Sequence, residues 1–242
     1  MKKLLAILLA LAMVMSLAAC GSDPVDDDKK DKDDKKEVVE TTEEPTEEET
    51  TEEVTEPENE KAQVADDIVL GSNEGDLYVN ESLNLSFTLP SDSWTFYSED
   101  QIAALLDSTG SLGNNPQAYL EHFGLFYDML CVDSSTGDSV QVIVQDVSNF
   151  GIDTDAFDDI ADVYIDSIIQ GASSSATITN VSDYEDVTLG SETYRKAVAD
   201  VSAKGVNCKQ AYYVCSGGDY VVCIAVTAVS ANILSEIEAC FG

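Results

Sequence analysis

The 242-residue chain is poor in positive charge, holding 12 Lys and Arg against 47 Asp and Glu, a formal net charge of −35 at pH 7. Such a balance repels phosphate backbones, so nucleic-acid binding is excluded, and it opposes a direct grip on anionic lipid. The favoured partners are instead cationic ligands, metal ions and basic proteins. A single histidine, His122, leaves little material for imidazole chemistry. The sequence contains no P-loop, no Rossmann glycine pattern, no Gly-x-Ser-x-Gly and no HExxH. It has no CxxC and no Cys/His metal spacing either. No catalytic residue, cofactor or metal ligand is therefore assigned.

What is present begins at the amino terminus. Lys2 and Lys3 precede an apolar run over residues 4–15, and Leu17, Ala18, Ala19 and Cys20 follow. Cationic, apolar and small-residue zones in that order are the layout of a secretory signal. The apolar run falls short of the ~20 residues a spanning helix needs. Leu-Ala-Ala-Cys resembles the lipobox of bacterial lipoproteins. The resemblance implies that residues 1–19 are removed and that Cys20 carries a lipid. Only a thiol forms the thioether, and two acyl chains anchor firmly where one is marginal. The expected location is the outer face of the cytoplasmic membrane of a Gram-positive cell, with the membrane as partner through Cys20.

Residues 20–65 are low in complexity: Asp and Lys first, then Glu and Thr, with Pro45 and Pro57 and no aromatic residue. Such a segment buries too little to offset chain entropy and is expected to be a disordered, self-repelling tether. Its contour reaches roughly 150 Å at about 3.3 Å per residue. Residues 66–76, loosened by Gly71 and Gly75, are expected as an approach to one globular domain over 77–242.

Within the domain, residues 83–89 alternate apolar and polar as a half-buried strand does. After a turn at Pro90, residues 94–97 read as a returning strand. Ser98-Glu-Asp-Gln101 fits a capping box opening a helix with Ile102, Leu105 and Leu106 inside. Residues 111–122 read as a loop with a short helix. Residues 125–132 and 140–147 read as strands joined by a hairpin with Gly137. Phe157, Ile160, Ala161, Tyr164 and Ile168 recur at helical spacing opposite Asp158, Asp159, Asp162 and Asp166. Four strands are expected at 176–183, 192–203, 206–215 and 220–229, then a closing helix at 231–240. The predicted class is α+β: an α/β/α sandwich with a central, mostly antiparallel sheet and three helices covering it.

Tyr78-Val-Asn80, Leu85-Ser-Phe87-Thr-Leu89-Pro90 and Trp94 resemble the opening of the Mog1/PsbP-like superfamily, as does the Val187-Thr-Leu189-Gly190 turn. The resemblance implies that fold over residues 77–242 and assigns no functional residue, because the family is functionally mixed.

Candidate chemistry is sparse. Cys131 with His122 is the one conceivable thiol–base pair, set against a buried thiol in a strand. The acidic run 153–159 departs from an EF-hand loop because Phe157 stands where a ligand belongs. Tyr212, Tyr213 and Tyr220 form either a recognition edge or strand packing. Arg195, Lys196, Lys204 and Lys209, the only bases from residue 66 onward, form either a basic patch or solvated strand ends. Cys131, Cys208, Cys215, Cys223 and Cys240 are read as buried thiols, with one disulfide left open. The functional expectation is a non-catalytic binding or adaptor module contacting another envelope protein. The alternatives are a solute-binding lipoprotein for a small or cationic ligand, or an envelope enzyme.

Overall fold

The structure is a computed structural model describing residues 63–65, 68–109, 124–148, 157–203, 205–217, 219–230 and 232–242. Cys20, His122, Lys204, the acidic run 153–156 and most of the segment expected as a tether lie outside them. So do residues 111–122.

The centre is an antiparallel sheet built from long apolar strands. Its order is β10 (Glu185–Leu189), β11 (Glu192–Ala203), β12 (Val206–Gly217), β13 (Tyr220–Ala228), β8 (Ser139–Asp146), β7 (Leu125–Asp133) and β6 (Trp94–Phe96). The three-residue β9 (Thr177–Thr179) also pairs with β11. Because side chains alternate along a strand, β12 serves two cores at once. Tyr212 and Val214 join one cluster, Ala211 and Tyr213 the other.

On one face lies α2 (Phe157–Ala172). Ala161, Tyr164, Ile165 and Ile168 are buried against Ala197, Tyr212, Val214 and Val221. Asp166 and Val163 face out, as the helical spacing requires. The other helix seen in the sequence, α1 (Glu99–Thr109), opens on a real capping box. Ser98 N donates to Gln101 Oε1 (2.8 Å) and Gln101 N to Ser98 Oγ (3.3 Å).

The second face differs from the expected all-helical cover. A three-stranded antiparallel sheet lies there: β3 (Ser72–Glu74), β4 (Leu77–Asn80) and β5 (Leu85–Thr88). Beside it is the short α3 (Ile233–Glu238). Tyr78, Leu85, Phe87 and Ile237 pack with Val142, Val144, Tyr213, Val222 and Ile224 of the central strands. The physical reason is the strict alternation in β5, which gives a flat strand pair its own apolar side. That side buries as well against a sheet as a helix would. The last residues extend this small sheet. Ser86 N donates to Gly242 O (3.0 Å), Gly242 N to Ser86 O (3.1 Å), and the Phe87 and Phe241 rings stand 4.7 Å apart.

The segment expected as an approach, 66–76, contributes β3. The last residues of the expected tether form β1 (Gln63–Ala65), paired with β2 (Ile68–Val69). Gly71 is close-packed rather than loose: a Cβ there would meet the Tyr78 ring at 2.5 Å. No helix among the described residues is long and apolar enough to cross a membrane.

Candidate functional site

A groove of about 710 Å³ lies over the ends of β11, β12 and β13, beside α3, with β9 along one wall. Its centre is a cross-strand pair. Asp200 on β11 stands opposite Lys209 on β12, Nζ to Oδ1 2.6 Å. Asn180 Nδ2 donates to the other carboxylate oxygen at 2.8 Å. Lys209 and Asn180 together hold the Asp200 carboxyl below the usual range. Around the pair stand the hydroxyls of Thr177, Ser202 and Ser235 and the amides of Asn207 and Asn232, with Leu234 as an apolar neighbour.

One wall is positioned from a distance. The β7–β8 hairpin carries Asp138, whose Oδ1 accepts from the backbone N–H of Val229 (2.6 Å) and Ser230 (3.0 Å), both groove residues. Asp133, at the hairpin's other end, accepts from Ser135 N and Oγ and from Ser93 Oγ. Burial pushes its carboxyl up, but those hydrogen bonds outweigh burial and leave it below the ordinary value. Gly137, at φ 82°, lets the loop close, as the sequence implied. The groove thus offers donors, acceptors and one charge of each sign. Among the described residues its lining holds one carboxylate, Asp200, and several hydrogen-bonding side chains, which suits binding of a polar group.

The structure separates the other candidates. Cys131 is buried in β7, and burial pushes its thiol up, away from nucleophilic use. Tyr212 and Tyr213 point to opposite cores, their hydroxyls donating to Gln210 Oε1 (2.6 Å) and Glu238 Oε1 (2.7 Å). They are packing residues, and only Tyr220 faces a cavity. The five described cysteines stand outside disulfides, and no metal-holding group of His, Cys, Asp and Glu occurs among the described residues.

Of the described bases, Lys209 is exposed, as a solvated strand residue would be, while Arg195 and Lys196 are largely shielded by acidic partners. Arg195 Nε meets Asp162 Oδ1 of α2 at 2.8 Å and its Nη1 meets Asp186 at 2.9 Å. Lys196 Nζ lies between Glu185 (2.8 Å) and Glu238 of α3 (2.9 Å). Sequence reasoning missed these pairings and the groove itself, because the partners meet only once β10 pairs with β11 and once Asp162 of α2 and Glu238 of α3 pack against the sheet.

No family model matches the chain, and no curated protein matches it. Among solved structures it is similar to the solution structure of cyanobacterial PsbP (CyanoP) from Synechocystis sp. PCC 6803. The two are 11% identical, with 72% of this chain and 98% of that chain covered, at a TM-score of 0.44.

Proposed function

We propose that the chain is an exported lipoprotein whose domain is a non-catalytic binding or adaptor module. Residues 1–19 are its signal, Cys20 its lipid attachment and the acidic stretch after it a tether. The opening from Tyr78 to Trp94 supports a Mog1/PsbP-like domain. The observation that carries the binding reading is the groove around Asp200 and Lys209, lined among the described residues by hydrogen-bonding side chains. Its occupant is a polar segment of another envelope protein.

A second reading, a solute-binding lipoprotein for a small or cationic ligand, draws on the same volume. About 710 Å³ lies within the roughly 300–1,000 Å³ typical of small-molecule sites.

A photo-cross-linking residue placed at Asn207, in the groove, and in a second strain at Val163, exposed on α2, separates the readings in intact cells. A discrete protein adduct from position 207 and none from 163 supports the adaptor. Adducts alike at both positions, or at neither, remove it and leave the small-ligand reading to be tested on the purified protein.

A further inference from the structure

The groove at Asp200 opens because one side chain peels two strands apart. β12 and β13 pair continuously from Gly217 and Tyr220 as far as Lys209 and Ala228. Carried on in the same register, Val229 and Ser230 would meet Cys208 and Asn207. Instead the buried Asp138 takes both of their backbone N–H groups on one carboxylate oxygen, and the chain leaves the sheet for α3. β12 runs on without its neighbour: Val206, Asn207 and Cys208 stay paired with Ala203, Ser202 and Val201 of β11.

Main-chain groups along an antiparallel strand face its two neighbours in alternation. Gly217 and Tyr220 flank a two-residue turn and so face one another. Every second residue back along β12, through Tyr213 and Lys209 to Asn207, then faces the β13 side. The β11–β12 turn gives the same parity from the other end, with Val206 facing Ala203. The N–H and C=O of Asn207 therefore point to the open side, into the groove that this residue lines. Neither has a backbone partner among the described residues.

An open ladder position recognises an extended main chain, whose N–H and C=O groups pair with it as another strand's would. Charge narrows the occupant. From residue 66 onward the chain carries 28 acids against four bases. Within the groove Asp200 and Lys209 neutralise one another, so the surrounding field decides, and it draws a cationic segment and repels an acidic one.

We propose that the groove takes an extended, basic segment of the partner protein, added as a short strand to β12, with the Asn207 N–H and C=O as its anchoring pair. This rests on the reading of the groove as a protein-binding site and adds the mode of binding and the chemistry of the bound segment.

Fluorescence anisotropy with the full chain in detergent, at about 0.15 M salt, tests the proposal. The probe is a labelled octapeptide of alternating Lys and Thr. Its comparators are the same peptide methylated at every backbone N–H, which keeps the charge and side chains, and an acidic octapeptide of alternating Glu and Thr. The plain basic peptide is expected to bind saturably, with Kd on the order of 0.1 mM, the methylated one about tenfold more weakly and the acidic one not at all. Asn207→Ala keeps both main-chain groups and binds the plain peptide as the parent does. Asn207→Pro removes an N–H that faces the groove and none that faces β11. Its unfolding midpoint stays near the parent's while the plain peptide binds about tenfold more weakly. Equal affinity of the parent chain for the plain and methylated peptides overturns the proposal whatever the variants do, as does absence of saturable binding by the plain one. A photo-cross-link from position 207 in cells, alongside peptides that bind alike, keeps the groove as a docking site and removes strand addition; loss of that cross-link removes the docking reading itself.

Discussion

At the scale of single residues, the buried polar groups decide more than the apolar ones. Asp128 of β7 accepts three hydrogen bonds from the small sheet: Gly71 N at 2.5 Å, Tyr78 Oη at 2.6 Å and Asn80 Nδ2 at 2.6 Å. Burial, then this carboxylate, raises the Tyr78 phenol well above its ordinary value, so it remains a donor. Asp128→Asn replaces one of the two acceptor oxygens with an amide donor that faces a donor of the small sheet or of Gly71. We expect a loss of about 1–3 kcal/mol for the donor orphaned, read as a lower urea midpoint with unchanged slope. Gln141 is the opposite case. It is fully buried on β8, and neither amide atom has a partner among the described residues. Gln141→Met keeps the volume and removes the unmet polarity, so the same measurement should show a gain of about 1 kcal/mol. A loss of stability would mean the amide is satisfied in solution.

At the scale of elements, two adjacent residues of β11 hold the layers from opposite sides. Arg195 ties α2 to one face and Lys196 ties α3 to the other. Burial alone would push the Lys196 ammonium down, but the Glu185 and Glu238 carboxylates outweigh it and raise the group above its ordinary value. A cation with a raised folded-state value contributes stability fully below its unfolded value, about 10.5. That contribution is lost as pH rises through the folded value. Comparing urea midpoints of the parent chain and Lys196→Met at pH 8 and above pH ~11 should therefore show a difference that shrinks at the higher pH. A constant difference would assign the effect to lost packing of the lysine stem.

The same elements show what a sequence exposes. The capping box at Ser98, the Gly137 hairpin and the apolar stripe of α2 are local, and each was legible from spacing alone. The strand β10 was missed because its Glu185-Asp186 start reads as loop until Lys196 and Arg195 stand opposite. The pairing of β8 with β13 joins residues some 80 positions apart, and periodicity carries no information on such partners. The groove fails to show for that reason: its walls come from β9, β11, β12, β13 and α3, and from Asp138 acting across from the hairpin.

For the whole molecule, charge sets the terms of attachment. From residue 66 onward 28 acids face four bases, 4 − 28 = −24, and the preceding stretch is acidic as well. An anionic leaflet attracts cationic segments by about 1 kcal/mol per charge near its surface and repels this chain on the same footing. A direct electrostatic hold on an anionic leaflet is therefore opposed, and the proposed lipid on Cys20, with two acyl chains, would supply the hold that charge does not. The proposed anchor predicts that Cys20→Ala moves the protein from the membrane pellet to the medium. The shift should be equally complete at about 0.01 M and 0.15 M salt, although the screening length falls from about 30 Å to 8 Å between them. If the variant instead stays with the pellet at low salt and leaves at high salt, attachment is electrostatic, through a basic partner on the cell surface, and the lipid anchor is wrong.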